Sequence, residues 1–118
     1  MIEEVIRNYL IAQELEGIGS NVFLETPEPG SVPEEYILLE RTGSSMRNHI
    51  ETVTIAIQSV SSVSLYRAAL INKAVKLAML YGLPQENAVF GCRINTDYNF
   101  TNTATKQYRY QAVFQITQ

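Results

Sequence analysis

The sequence predicts an α+β fold: a mainly antiparallel sheet of about five strands with two helices on one face, in the order α-β-β-β-α-β-β. Three observations lead to it. Two separate segments, near the start and the middle of the 118 residues, repeat apolar residues with the helical period. Residues 50–59 and 107–117 instead alternate apolar and polar residues, as half-buried strands do. No linker or internal repeat separates these parts, so residues 1–118 read as a single domain.

Taken in order, Ile2, Val5, Ile6, Tyr9 and Leu10 form the apolar stripe of a first helix, expected to run to about Glu16. Glu3 and Glu4 suit the positive end of its dipole, and Gly17 and Gly19 should end it. Residues 21–25 read as a short strand. Three of the four prolines fall within residues 26–33, which can then be neither helix nor central strand. Residues 35–41 form the second strand, and the turn-forming residues of 42–48 should break it. The third strand, from about Ile50 to Ser59, turns Val53, Ile55 and Ile57 inward and Thr52, Thr54 and Gln58 outward.

Cap candidates within 59–62 precede a second helix, expected from Val63 to Tyr81. Tyr66, Leu70, Lys73, Ala74, Leu77 and Tyr81 are its expected core stripe, with Lys73 reaching outward along its own stem, and Gly82 and Pro84 its stop. A strand over 89–96 should carry Phe90, Cys92 and Ile94 on one face. The last strand should carry Tyr108, Tyr110, Ala112, Phe114 and Ile116 on one face, and residues 97–105 should be the irregular tip between the two.

Composition narrows the function. The hydrophobic fraction is 46% and the charged fraction 18%, values of a globular domain. No apolar run approaches the roughly 18–20 residues of a membrane span, and the acidic N-terminus does not look like a signal peptide. A cytoplasmic protein is expected. The net charge of −3 argues against a dedicated nucleic-acid binder, and it is unevenly spread: residues 1–51 carry −7 and residues 52–118 carry +4. Such a chain could pair head to tail with its own copies, unless folding mixes the two halves on one surface.

Catalytic signatures are thin, and no enzyme activity is expected. Cys92 is the only cysteine, best read as a small apolar side chain on an inward strand face. His49 is the only histidine. With Glu51 it offers two ligands on one side of a strand and no third, so no metal site is expected. The adjacent pairs Glu3-Glu4 and Glu34-Glu35 diverge rather than share a proton. Gly17 and Gly19 precede a strand, the reverse of a dinucleotide-binding loop, and no cofactor is expected. Tyr108-Arg109-Tyr110 interleaves aromatic and basic residues, but alternation sends the tyrosines to one face and the arginine to the other.

The order of segments resembles the tail-terminator, or tail-completion, family of long-tailed phages and prophages. The resemblance spans nearly the whole chain. It rests on the opening helix and the strand Val22-Phe-Leu-Glu25 before a Pro-Glu loop, then Tyr-Ile-Leu-Leu-Glu-Arg-Thr-Gly (residues 36–43) and Val-x-Ile-x-Ile-Gln-Ser (Val53 to Ser59). Arg67-Ala-Ala69 in the long helix and the closing Tyr-Arg-Tyr-Gln-Ala-Val-Phe (residues 108–114) complete it. The resemblance implies a homo-oligomeric ring, usually a hexamer, at the head-proximal end of the tail. Its partners would be the tail tube protein and a head–tail connector protein, and DNA would pass through it without specific contacts. It would act in the bacterial cytoplasm during assembly and then in the virion tail. Glu35, Glu40, Arg41, Arg67 and Arg109 are the candidate subunit-interface residues. A head–tail connector, or a small module that binds host protein or nucleic acid, is the alternative.

Overall fold

A computed structural model describes residues 2–28, 30–47, 50–82, 91–99, 101 and 107–117. The expected order of elements is the one observed. Helix α1 (Ile2–Ala12) buries Ile2, Ile6 and Leu10, with Val5 and Tyr9 packed at the edge of the core. It stops short of Glu16. Glu14 turns to a left-handed φ of 52°, and Gly17 and Gly19 follow with φ of 80° and 55°. This early exit lets Ile18 fold back into the core, a gain that another turn of exposed helix would not offer.

Strand β1 is only Val22–Phe23 and lies parallel to β2, Val22 opposite Ile37 and Phe23 opposite Leu38. A parallel neighbour needs a crossover, and the proline-rich segment supplies it. Strand β2 (Glu35–Arg47) forms a long antiparallel hairpin with β3 (Ile50–Ser61), from Glu35 opposite Ser61 to Arg47 opposite Ile50. The break expected after Arg41 is therefore a bulge between Arg41 and Gly43, after which the strand resumes. Turn propensity yields here because β3 continues and its backbone needs a partner. Asn48 and His49 lie outside the described residues.

Strand β3 also runs two residues further than expected, pairing with Glu35 on one side and Tyr108 on the other. Ser59 and Ser61 are thereby buried in the sheet and cannot cap the next helix. Ser64 caps it instead, its hydroxyl accepting from the Arg67 N–H at 3.1 Å. Helix α2 spans Leu65–Leu77 and ends in a single π turn, Ala78–Gly82. Strand β4 (Gly91–Asn99) continues through residues expected to be irregular, with a bulge between Ile94 and Thr96, and β5 (Tyr108–Thr117) completes the sheet. Phe90 and Lys106 lie outside the described residues.

The sheet order is β1-β2-β3-β5-β4, so β3 and β5 are central. Val53, Ile55 and Ile57, each fully buried, meet Ala112, Phe114 and Ile116 on the inner face, as the alternation predicts. Tyr108 and Tyr110 are only half-buried. Over this face α2 lies across β3 and β5, while α1 covers β1 and β2.

The face that α2 turns to the sheet differs from expectation. Ala68, Ile71, Asn72, Val75 and Met79 are buried. Tyr66 and Tyr81 are 71% exposed, Leu77 50% and Leu70 38%. Both stripes have helical spacing, so periodicity alone could not separate them. The choice is steric: Ala68 and the β-branched Ile71 and Val75 allow close approach to a sheet already filled by isoleucine and phenylalanine.

Candidate functional site

Three clusters of polar chemistry emerge among the described residues. The first joins the start of β2, the end of β3 and the first turn of α2. The Arg67 guanidinium donates to both carboxylate oxygens of Glu35, at 2.9 and 2.8 Å, and the Ser61 hydroxyl donates to the same carboxylate at 2.9 Å. The Glu35 side chain is only 11% exposed. The Arg67 hydrogen bonds hold the Glu35 carboxyl below its ordinary range, with Ser61 acting the same way against partial burial. Gly17 packs against this pair. A Cβ there would come within 2.6 Å of both Arg67 Nη2 and Glu35 Oε1, and its φ of 80° already favours glycine.

The second cluster ties α2 to the bulged part of β4. Asn72 donates to Asp97 Oδ1 at 2.7 Å, and Lys76 donates to the other carboxylate oxygen. Sequence reasoning passed over both partners. The available signal was Asn72, one polar residue next to Ile71 on the buried side of an apolar helix.

A polar ladder crosses the outer face of the sheet as the third cluster. Arg109 donates to Gln58, Gln58 to Gln111 at 3.1 Å, and Gln111 is 2.5 Å from the Tyr98 hydroxyl. Arg93 and Gln115 extend it toward β4. These cross-strand pairs satisfy the face that the helices leave open.

Of the five interface candidates, Glu35 and Arg67 are thus bound to each other within one chain. Arg41 lies between Glu3 at 3.4 Å and Glu51 at 3.8 Å, and Arg109 joins the outer ladder. Glu40 is exposed. Cys92 is half-buried beside the core, and burial pushes its thiol up to about 11, which keeps the nucleophilic thiolate scarce near neutral pH. His49 lies outside the described residues. Among the described residues no three His, Cys, Asp or Glu side chains gather as a metal site would require, and no helix is long and apolar enough to cross a membrane.

Exposed charge is unevenly placed. Exposed Glu4, Glu14 and Glu16 lie on and after α1, and exposed Glu25, Glu28, Glu34 and Glu40 on the β1–β2 flank. Exposed Lys73 stands on α2, over β3 and β5, and exposed Arg93 on β4 at the far edge of the sheet. The halves still meet, because Arg67 of α2 binds Glu35 and exposed Arg41 stands among the acids of β2. Where β1 ends, an open notch at the acidic edge is lined by Leu24, Glu25, Thr26, Leu38, Leu39 and Glu40. A second groove runs between α1 and α2, bordered by Tyr9, Leu15, Ala74, Leu77 and Tyr81.

No protein-family model matches the chain, and no curated protein does. Among solved structures, the fold is similar to that of a chain in the virion of a native gene transfer agent particle. That likeness has a TM-score of 0.66 and 14% sequence identity, and it covers 96% of this chain and 83% of that one. At this identity the likeness establishes the shared fold, an α+β domain with a five-stranded mixed sheet and two helices.

Proposed function

We propose that this chain is a structural component of a phage-type virion, acting as a tail terminator. In this reading it forms a ring on the head-proximal end of the tail tube, stops tube growth and offers a surface to the head–tail connector protein. The observation that carries the reading is the fold shared over 96% of the chain with a protein of a gene transfer agent virion. The order of segments that resembles tail terminators supports it. So does the uneven placement of exposed charge, acidic on the β1–β2 side and basic at Lys73 and Arg93, which suits the heterologous contacts of a ring. The role includes no catalytic step, and DNA passes the ring without specific contacts.

Electron microscopy of the purified protein mixed with polymerising tail-tube protein tests this reading. A terminator should form rings alone or on tube ends, and should shorten the tubes as its concentration rises. A head–tail connector would leave tube growth unaffected and bind only the head side. Protein that stays monomeric at every concentration and never decorates a tube end would remove the proposal.

A further inference from the structure

The exposed side of α2 is an apolar feature that the packing of a single chain does not explain. Tyr66, Leu70, Leu77 and Tyr81 present large side chains on successive turns, while the opposite side of the same helix is already buried. A helix apolar on both sides is one that is covered on both sides. Within this stripe Lys73 is the single charge, and it too is exposed.

We propose that this stripe seats a second copy of the chain, head to tail, with Lys73 entering the notch on the neighbour's acidic β1–β2 flank. The proposal rests on the ring reading above and names its interface. The notch has the chemistry a lysine needs: Leu24 and Leu38 to lie along its stem, and the carboxylates of Glu25 and Glu40 to meet its ammonium. Exposed Leu24 and Val32 on the same flank give the tyrosines and leucines of the stripe an apolar counterpart. Stripe-to-stripe pairing is the competing arrangement, and it would bring Lys73 against Lys73. Because stripe and notch are different surfaces, each copy uses one of each, and the chain of contacts can close into a ring.

Sedimentation velocity over a range of concentrations, with thermal melting to check each fold, tests the interface. Tyr66→Ser with Leu77→Ser should weaken association about tenfold or more, since both side chains lose their cover of water-exposed area. Lys73→Glu, and separately Glu25→Lys with Glu40→Lys, should each weaken self-association. Mixing those two variants should restore it, because every contact again joins opposite charges. If Lys73→Gln strengthens association instead, two stripes face each other and the head-to-tail arrangement is overturned. If wild type associates but the serine variant associates equally well, the interface is wrong and the ring reading stands. A wild type that never associates removes both.

Discussion

At the scale of single residues, the Glu35–Arg67 pair shows how a surface charge becomes an internal fastening. Neither residue stands out in the sequence beyond its charge, and both were expected to face a neighbour. The fold instead brings the start of β2 beside the first turn of α2, and Ser61 adds a third group to the carboxylate. Gly17 is the residue that leaves room for them. Because the Glu35 carboxyl titrates below its ordinary range when folded, it contributes stability above its unfolded value, near 4.5. That contribution should disappear as pH falls through the lower, folded value. Melting temperatures measured from pH 7 to pH 3 should therefore show a smaller acid-induced drop in Glu35→Gln than in wild type, starting from a less stable protein at neutral pH. Equal drops in the two proteins would mean that the pair contributes nothing on folding.

At the scale of elements, what could be read from the sequence depended on whether a pattern had one solution. The alternation of Val53, Ile55 and Ile57 had one, and the inner face of β3 is where it placed it. The prolines of residues 26–33 likewise left only a loop, though not the parallel crossover it proves to make. Helix α2 had two solutions, because apolar residues surround it, and the larger aromatic stripe was the wrong one. Small and β-branched residues, not the biggest ones, pack on this crowded sheet. The candidate site suffered from the same cause: a stripe assigned to the core cannot also be considered as a surface. Met79→Ala should cost about 2–5 kcal/mol, as large-to-small changes in a core do, whereas Leu77→Ala should stay within about 0.5 kcal/mol in the monomer. Urea unfolding of both variants at low concentration checks the assignment, and a reversed order would return Leu77 to the core. The bulges in β2 and β4 were illegible for another reason, since they are set by the register against the partner strand, which no residue within the bulge encodes.

At the scale of the whole molecule, the sequence's division into an acidic and a basic half survives folding only in part, since Arg67 crosses to Glu35. What survives does so because α1, β1 and β2 are consecutive and carry most of the exposed acids, while β4 lies at the opposite edge of the sheet and α2 over β3 and β5. Exposed charges placed in this way steer encounters more than they hold complexes together. Raising ionic strength from about 0.1 M to about 1 M shortens the screening length from about 10 Å to about 3 Å. Association of subunits should then slow markedly, while dissociation, governed by the apolar stripe together with Lys73 in its notch, should change less. Stopped-flow light scattering separates the two rates. A salt effect confined to dissociation would leave the exposed charges outside the contact no part in steering.

The position of β5 has a consequence for how the domain is made. It follows every other element in the chain, yet it lies between β3 and β4. During synthesis the β2–β3 hairpin can zip up from its own turn, but β4 has no strand to join and α2 has only half a sheet to lie on until β5 emerges. Up to that moment the edge of β3 and the inner apolar face stand open to any passing strand. A newly made subunit is thus most vulnerable to misassociation just before its last strand is inserted, and cells that make many copies at once need that insertion to be fast.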